Sequence, residues 1–417
     1  MKSNYKKIGE HIREVNVRNS SLKANTLLGI NIDKYYMPSV ANTVGTDLSV
    51  YKIVEKNQFA CNRMHVGRDY RLPIALSKNE NEFIVSPAYD VFEIIDTEKL
   101  LPEYLMLWFS RTEFDRNAWF FTDADVRGGL PWKSFCEMDL PIPSPDKQKE
   151  IIKEYNTIVD RITLNNQFIQ KLEETAHAIY QHWFIDFEFP DKDYKPYKSS
   201  GGEMELNKEL ESEIPKGWRY EQLGNLIEYK KGFAFKSDDY QTTGVPIIRV
   251  SDFTAKSIDI SNCNYLDEAK AKELKKYSLN TNDIIITTVG SWPDNPASIV
   301  GKVISVPEIA NNGLLNQNAV RLRTLDSNGQ IFIYYRLRSN EFTDYVVSGA
   351  QGSANQASVT LEHVFKFRTV MPDKRSSDQL FKPLNLINNK VAKLNTENHY
   401  LSLLRDLLLS KLATIEY

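Results

Sequence analysis

The chain contains one pattern twice, and this internal repeat constrains its architecture more than any other feature. The stretch LPIPSPDKQKEII at residues 140–152 opens a long helical pattern, and TVMPDKRSSDQLF at residues 369–381 opens another. An offset of 229 positions aligns Pro143 with Pro372, Ile158 with Ile387, Asn166 with Asn395 and Leu172 with Leu401. A repeat of this length predicts two copies of one unit, each a globular domain followed by a helix.

Two copies in one chain predict a molecule with pseudo-two-fold symmetry. Such symmetry suits a protein that recognises an object with two-fold symmetry of its own, and duplex DNA is the commonest such object. The net charge of -3 argues against a protein that binds DNA through a polybasic tail. It does not exclude DNA binding, because the basic residues need only be gathered on one face.

Cysteine content and hydropathy limit where such a chain can work. Cys61, Cys136 and Cys263 lie far apart and have neither the spacing of a disulfide framework nor that of a zinc site. The N-terminal residues lack the apolar core of a signal peptide, and no apolar run approaches the roughly 20 residues of a membrane span. We therefore expect a cytoplasmic protein that holds no metal and makes no contact with membranes.

Changes in composition along the chain indicate four structured segments and one linker. Short β-rich runs fill the first and the third structured segment, and each of these also contains an apolar helical stripe, at 101–114 and 330–342. Pro190, Pro196 and the stretch 199–203 mark the linker. We predict a first domain at 1–143, a central helix at 144–189, a linker at 190–213, a second domain at 214–373 and a C-terminal helix at 374–417.

The two long helices carry the most regular pattern in the sequence. The residues of one face recur at alternating steps of four and three from Ile151 to Trp183, and again from Leu380 to Leu412. Sustained over about four heptads, this spacing predicts a coiled coil, and a helix of about 40 residues extends about 60 Å. The predicted fold is therefore mixed α+β: two β-rich α/β domains held apart by an antiparallel coiled coil. The alternative is that each helix packs only on its own domain.

An antiparallel register that sets Ile151 opposite Leu412 also sets Asn165 opposite Asn398. We call the two heptad faces, from Ile151 to Trp183 and from Leu380 to Leu412, the seams of the helices. Asn165 and Asn398 are the only amides in these seams, and a pair of facing amides can satisfy each other's hydrogen bonds and fix one register. Two alternatives remain open. Either asparagine points to solvent or to a partner subunit, or a slip of one heptad sets Asn165 opposite Arg405.

The chain contains no recognisable catalytic motif. Residues 86–90 resemble the catalytic loop of amino-methyltransferases only superficially, because Ala88 replaces a proline, and we interpret them as a strand. Residues 273–275 lack the Pro-Asp pair of a nuclease site and are interpreted as solvated helix. The phosphate-binding P-loop pattern is absent, and the six histidines have no metal partner at helical spacing. We predict that this chain has no catalytic residue.

Polar loops at equivalent places in the two copies are the best candidates for contacts with DNA. In the first copy, residues 62–73 gather basic side chains around Gly67, and residues 122–131 add one arginine. Arginine can reach base edges, and glycine lets the backbone approach phosphate. The predicted DNA-binding residues of this copy are Arg63, His65, Arg68, Arg71 and Arg127.

In the second copy, the loop at 289–302 follows the corresponding strand, and the loop at 348–358 is rich in amides. The stretch 229–240 adds three lysines. The predicted DNA-binding residues of this copy are Lys230, Lys231, Lys236, Ser291, Trp292, Asn295, Lys302, Gln351, Asn355 and Gln356. The alternative for each loop is a solvated turn without a binding function.

Taken together, these segments resemble the specificity subunit of type I restriction-modification systems over the whole chain. The resemblance rests on the domain opening IPKGWRYEQLGNLI at 214–227, which runs into GVPIIRVSDF, and on the domain exits at 140–152 and 369–381. The central IYQHWFIDFEFP and the terminal LLRDLLLSKLA also fit. One departure is that the first domain begins at YKKIGEHI, where only Gly9 visibly corresponds to Gly224.

The resemblance implies a non-catalytic subunit with two target recognition domains. Each domain would read one half of a split site in double-stranded DNA, and the coiled coil would set their separation. The subunit would dock methylation subunits, two in number, and restriction subunits. It would bind no cofactor itself, whereas its partner subunits would use S-adenosylmethionine, ATP and Mg.

Two other functions are compatible with the same features. One is the recognition subunit of a fused nuclease-methyltransferase enzyme, and the other is a protein-interaction scaffold built on the coiled coil. Co-purification of a methyltransferase subunit, together with a split methylated motif, would distinguish a type I specificity subunit from these two alternatives.

Overall fold

A computed structural model of the chain describes residues 5–40, 45–122, 128–254, 257–292, 299–326, 329–353 and 356–413. The chain divides into two compact units. Unit 1 comprises Met1–Thr163 and Tyr400–Tyr417, and unit 2 comprises Leu164–His399. Each unit therefore contains one of the predicted domains together with a segment of both long helices.

The described residues form ten α-helices and 24 strands. The helices are α1 (Val66–Asp69), α2 (Pro102–Phe109), α3 (Thr112–Phe120), α4 (Trp132–Cys136), α5 (Pro145–Tyr180), α6 (Glu268–Glu273), α7 (Gln330–Leu337), α8 (Asn340–Ser348), α9 (Leu361–Lys366) and α10 (Lys374–Lys411). The strands of unit 1 are β1 (Tyr5–Lys7), β2 (Ile12–Val15), β3 (Leu28–Ile30), β4 (Tyr36–Pro38), β5 (Lys52–Val54), β6 (Phe59–Cys61), β7 (Ile74–Leu76), β8 (Phe83–Val85), β9 (Asp90–Ile94) and β10 (Asp139–Pro141). The strands of unit 2 are β11 (Met204–Asn207), β12 (Ser212–Pro215), β13 (Arg219–Gln222), β14 (Ile227–Lys231), β15 (Val245–Ile248), β16 (Asn264–Leu266), β17 (Ile284–Thr287), β18 (Val289–Gly290), β19 (Val303–Ser305), β20 (Leu314–Leu315), β21 (Ala319–Thr324), β22 (Gln351–Ser353), β23 (Gln356–Ser358) and β24 (Arg368–Met371).

The domain of unit 1 is built around an antiparallel sheet in the order β2-β9-β6-β7. The apolar strands β6 and β9 supply Phe59 and Phe92, whose rings stack with centroids 5.0 Å apart. Phe109 from α2 and Phe135 from α4 pack against these rings. Strands β1 and β10 pair antiparallel, so the chain enters and leaves the domain side by side.

The domain of unit 2 repeats this plan. Its sheet has the corresponding order β14-β21-β17-β19, and β13 pairs with β24 as β1 pairs with β10. Helices α7 and α8 have the same lengths as α2 and α3 and follow the corresponding strand. Ser339 caps α8 by accepting a hydrogen bond from the Phe342 amide at 3.2 Å. The predicted mixed fold, with two β-rich domains and long helices, is confirmed.

One glycine is required at the same turn of each copy. An added Cβ on Gly9 would lie 2.7 Å from the Cβ of Cys136 in α4. An added Cβ on Gly224 would lie 3.1 Å from the Cβ of Phe365 in α9. In each copy, a short helix lies so close to the turn that a side chain there would force its neighbour to shift, and so this glycine is recognisable although the surrounding sequences differ.

Helices α5 and α10 run antiparallel within each unit. In unit 1, the first turns of α5 and the last turns of α10 share a buried cluster that contains Ile151 and Leu412. In unit 2, Ala176 near the end of α5 and Leu384 near the start of α10 share a second cluster. Both clusters also contain residues of the domain, so the helix ends pack on each other and on a domain.

Asparagine side chains meet between the two helices in unit 2. The Nδ2 of Asn165 donates to the Oδ1 of Asn398 at 2.9 Å, and the Nδ2 of Asn398 donates to the Oδ1 of Asn166 at 2.9 Å. Asn165 is buried. This is the pairing that the antiparallel register of the sequence predicts, rather than the register slipped by one heptad.

The segment 190–213, which the sequence marks as a linker, is folded within unit 2. Its strand β11 pairs antiparallel with β12. Phe189 stacks on Trp218 and on Tyr197, with ring centroids 4.9 Å and 4.5 Å apart. Aromatic residues at and beside this segment bury enough apolar surface to order it, although its prolines and glycines suggest a flexible connection.

Candidate nucleic-acid interface

The two predicted loops of unit 1 meet at one edge of its sheet. Strand β9 pairs antiparallel with both β2 and β6, so β2 and β6 run parallel and end at the same edge. The loop at 62–73 leaves β6 at this edge, and the amide of Gly67 donates to the carbonyl of Gly128 at 2.7 Å. An added Cβ on Gly67 would lie 2.7 Å from the Gly128 Cα, so a larger residue would push the loops apart.

Arg63 joins the two loops of unit 1 from the inside. Its Nε donates to Asp90 Oδ2 at 2.6 Å, and its Nη1 donates to the carbonyl of Leu130. The Leu130 amide donates back to the Arg63 carbonyl at 2.9 Å, and the guanidinium lies 5.5 Å from the ring centroid of Trp132. Because its charge is matched by Asp90 and its side chain is only 20% exposed, Arg63 organises the loops.

Arg68 and Arg71 lie on the exposed side of the same loop. Arg68 forms an ion pair with Asp69 at 2.7 Å, and Arg71 forms one with Asp33 at 2.8 Å. Exposed ion pairs contribute only about 0–1 kcal/mol, so either guanidinium could exchange its carboxylate for a phosphate at little cost. His65 precedes α1 and is half-buried. Arg127 lies outside the residues that the structure describes.

A buried ion pair fixes the far end of the loop at 62–73. The Nζ of Lys34 donates to Asp115 Oδ1 at 2.8 Å, and the amide of Leu72 donates to the same oxygen at 3.0 Å. Burial lowers the pKa of Lys34 from its ordinary value, and the Asp115 carboxylate opposes that shift. Asp115 therefore connects α3 to the loop and neutralises a lysine that lies almost entirely out of solvent.

In unit 2, the equivalent loops are joined by a small sheet. Strands β14 and β17 both pair antiparallel with β21 and end at one edge, as β2 and β6 do. Strand β18 then pairs with β23, which pairs with β22. The indole of Trp292 donates to the Ser353 carbonyl at 2.8 Å, and the Ser291 carbonyl accepts from the Val300 amide at 2.9 Å. Ser291 and Trp292 are thus brought against the amide-rich hairpin.

Gln351 and Gln356 are exposed on the hairpin of β22 and β23. Lys302 follows the other loop, where its backbone amide donates to Thr287 Oγ1 at 2.9 Å. Burial lowers the pKa of Lys302 from its ordinary value. Asn295 and Asn355 lie outside the described residues.

The three predicted lysines of the stretch 229–240 occupy different environments. Lys231 ends β14 at the edge where the loops of unit 2 begin, and it is exposed. The Nζ of Lys230 lies 5.4 Å from the ring centroid of Tyr277. Lys236 is exposed and follows Phe235, which packs on the neighbouring sheet β16-β15-β20. Lys231 is therefore the lysine of this stretch that the sheet brings to the loop edge.

An exposed group of aromatic side chains next to the loops of unit 1 was missed by the sequence analysis. Tyr70, at the end of α1, contacts Trp119 with ring centroids 5.3 Å apart. Phe120 and Phe121 follow at the end of α3, with centroids 5.4 Å apart. Three consecutive aromatic residues in the stretch NAWFF at 117–121 are the sequence signal of this group. An apolar stripe precedes them, and the sequence alone does not show that their rings are exposed.

No group of three or more His, Cys, Asp or Glu side chains in the described ranges is arranged to hold a metal ion. Residues 86–90 do not form the continuous strand that we predict, since the Tyr89 amide donates to the Ser86 carbonyl at 3.0 Å in a turn before β9. Of residues 273–275, Glu273 ends α6 and Lys275 begins a 3-10 helix at Lys275–Tyr277, and both are exposed, so the interpretation of these residues as solvated helix is confirmed. None of the helices described has the length and apolar character needed to cross a bilayer.

Comparison with known proteins finds a family match within the domain of unit 2. Residues 215–363 match the family described as the type I restriction modification DNA specificity domain. The type I restriction enzyme MjaIX specificity subunit of Methanocaldococcus jannaschii is 27% identical over 204 residues, which are 47% of this chain and 44% of that protein. The chain thus spans less than half the length of this relative.

Two further comparisons extend over nearly the whole chain. The type I restriction enzyme HindI specificity subunit of Haemophilus influenzae is 24% identical over 433 residues, covering 91% of both proteins. The crystal structure of a type I restriction-modification S subunit from M. genitalium has a TM-score of 0.54 at 13% identity, over 98% of this chain and 95% of that one. The latter likeness shows the fold alone, and together the comparisons confirm the resemblance stated from the sequence.

Proposed function

We propose, from the premise that this chain belongs to the family of type I restriction-modification specificity subunits, that it recognises a bipartite DNA site through its two domains. The observation that carries this proposal is that each copy brings two polar loops together at the same edge of an equivalent sheet. Solvated turns without a binding function are not expected to recur at equivalent edges of two sheets. Two recognition surfaces are expected to recur in this way, because each half of a split site needs one.

Within each surface, affinity would come from exposed cations that contact phosphate, and discrimination from side chains that reach base edges. Arg68, Arg71 and Lys231 have the exposure that phosphate contacts need. Gln351 and Gln356 have amide groups that suit adenine in the major groove. Arg63 would act indirectly, by holding the loops in place.

The partners follow from the same premise. The chain would dock two methylation subunits and, for cleavage, restriction subunits, and these partners would use S-adenosylmethionine, ATP and Mg. The chain itself would hold no cofactor and contribute no catalytic residue, and the complex would act on DNA in the cytoplasm. The names of the relatives support the place of the chain in a type I restriction enzyme.

The test of the DNA-recognition proposal is modular exchange. The chain is produced with its methylation subunits, and the methylated motif is determined by methylome sequencing. Residues 214–373 are then replaced by the matching domain of another specificity subunit. We expect one half of the motif to change while the other half stays. A change of both halves together would contradict independent domains, and absence of any motif in the parent complex would contradict the proposed function itself.

We further propose that α5 and α10 set the number of base pairs between the half-sites. The register that pairs Asn165 with Asn398 sets the position after Leu172 level with the position after Lys390. Seven residues inserted at both positions would keep the seams in phase and lengthen the helices by about 10 Å. The gap in the methylated motif should widen by a few base pairs. An unchanged gap would contradict the proposal, and an insertion after Leu172 alone is the control, because it should abolish methylation.

A further inference from the structure

The aromatic residues beside the loops of unit 1 are not required by the fold. Helices α3 and α8 have nine residues each, and both bury an apolar side chain at their third and seventh positions: Phe114 and Ala118 in α3, Phe342 and Val346 in α8. This alignment sets three positions of α3 against their counterparts in the second copy: Trp119 against Val347, Phe120 against Ser348, and Phe121 against Gly349. At these three positions the second copy therefore has no aromatic residue.

The aromatic group of unit 1 is also largely exposed. Tyr70, Trp119, Phe120 and Phe121 expose between 43% and 77% of their surface. Exposed apolar groups of this size mark binding sites more often than they mark structure. Because the fold does not need these side chains and water does not favour them, they point to a ligand that covers them.

The surroundings of the aromatic group favour nucleic acid as that ligand. Arg68 and Arg71 flank Tyr70 in the loop, and Arg116 lies one turn before Phe120 on the same face of α3. All three arginines are more than half exposed, and the carboxylates paired with them, on Asp69, Asp33 and Glu113, are partly or largely exposed. Aromatic rings interleaved with arginines are the combination that stacks on bases while contacting phosphates.

We propose that Tyr70, Trp119, Phe120 and Phe121 insert against one base step of the half-site read by unit 1 and unstack it. Such apolar wedges open a step of duplex DNA and let the DNA bend around the protein. This inference rests on the proposed function, because it assumes that the loop edge of unit 1 faces DNA. It adds that the two half-sites are recognised differently, one with base unstacking at this group of rings and one without it.

The test uses the chain in complex with its methylation subunits and duplexes that carry 2-aminopurine at successive positions of this half-site. The fluorescence should rise at one step on binding. The triple variant Trp119→Val, Phe120→Ser, Phe121→Gly, which introduces the residues that end α8, should lose that rise. It should also bind the intact duplex about 10-fold or more weakly, since stacking of a base on an aromatic ring is worth roughly this factor or more. A mismatch at the same step should restore much of the affinity, because a mismatched base costs less to unstack.

Two further variants keep the test decisive. Tyr70→Asn retains a residue that tolerates the left-handed backbone at this position, where φ is 57°, and it should lower the fluorescence rise without the helix being altered. Tyr194→Asn is the matched control, because it removes an aromatic residue that is 84% exposed in unit 2 and whose backbone is also left-handed, with φ at 59°; it should leave the rise unchanged.

Three outcomes would overturn the inference. The first is a triple variant that binds and unstacks the duplex as the parent does. The second is a triple variant that releases its methylation subunits in gel filtration and keeps the fluorescence rise, since the rings would then cover a protein surface. The third is a parent complex that does not distinguish specific from random duplex, and this result would overturn the proposed function as well.

Discussion

The loop edges of the two copies occupy the same place in the fold but are held together by different means. In unit 1, two backbone hydrogen bonds, from Gly67 to Gly128 and from Leu130 to Arg63, and the internal side chain of Arg63 join the loops. In unit 2, three short strands and the indole of Trp292 do so. The sheet below tolerates both solutions because it contributes only the positions at which the loops begin. The loops can therefore diverge without disturbing the core of either domain.

This comparison predicts that the two edges respond to different substitutions. Asp115→Asn should have the largest effect, because it leaves the ammonium of Lys34 buried without a countercharge. Removing one partner of a buried pair costs about 3–5 kcal/mol. Hydrogen exchange should show the loss in unit 1, at β7 and the loop at 62–73, and the domain of unit 2 should be unaffected.

The control for Asp115→Asn is Asp146→Asn, which removes an exposed carboxylate paired with Lys149 at 3.5 Å. It should change the free energy of unfolding by less than about 0.5 kcal/mol. Adding Lys34→Met to Asp115→Asn should recover most of the lost stability, because the uncompensated charge is removed. Equal destabilisation of both units would show that the loops are not held independently.

Much of the architecture was predictable from the sequence, and the reasons are specific. The two long helices α5 and α10 were predictable because an apolar spacing of 3.5 residues held over this length favours a long helix, and the single amide in each seam specified the register that pairs Asn165 with Asn398. The repeat predicted two domains because Pro143 and Pro372 close them at corresponding points. Gly9 corresponds to Gly224 because both turns lie under a helix.

The roles of individual loop residues were less predictable. Arginine is a residue type that often contacts DNA, and so Arg63 was predicted to do so. Its partner Asp90 lies 27 positions away on β9, and this pairing is not visible in the sequence. Tyr70 and Trp119 meet only after the fold brings α1 and α3 together. Contacts of this kind depend on tertiary structure, and no local pattern records them.

The second prediction concerns the replacement of one loop glycine by alanine in each unit. Gly67→Ala would set a Cβ 2.7 Å from the Gly128 Cα and force the loops of unit 1 apart, whereas Gly352→Ala would set one 1.9 Å from the Gln356 carbonyl oxygen in unit 2. Each change should reduce discrimination about 10-fold at one half-site only, through displaced contacts worth about 1–3 kcal/mol. The readout is the affinity for duplexes with single substitutions in either half.

Gly29→Ala is the matched control for the glycine variants. Its added Cβ would meet only the hydroxyl of Tyr89, at 3.9 Å. Affinity for both half-sites should stay at the parent level. If Gly67→Ala impaired both halves equally, the loops of the two units would have to be coupled.

The third prediction concerns the asparagines between α5 and α10. Asn398→Leu removes two hydrogen bonds and strands the buried Asn165, whereas Asn165→Leu leaves Asn398 bonded to Asn166. Both should destabilise the chain by about 1–3 kcal/mol, with Asn398→Leu the more costly. The double variant should recover much of the loss in denaturant unfolding. Strictly additive effects would mean that the two amides act independently.

The smallest predicted effect separates phosphate contact from fold. Arg68→Ala removes an exposed ion pair and should leave the midpoint of denaturant unfolding unchanged. It should weaken binding to specific and random duplex alike and lower the salt dependence by about one counterion. Arg13→Ala is the control, because Arg13 has the same side-chain exposure of 67% and is paired with Glu93 away from the loops. Equal salt dependence in the two variants would remove Arg68 from the interface.

The buried asparagine pair also bears on which halves of such a chain can associate. The offset of 229 positions carries the pair Asn165 and Asn398 onto Leu394 and Ile169, which are both buried. If two identical first halves associated in the same geometry, Asn165 would face isoleucine, and in two identical second halves Asn398 would face leucine. Each wrong pairing would strand an amide at a cost of about 1–3 kcal/mol. A fragment that carries either half alone is thereby biased against self-association and towards its complementary half.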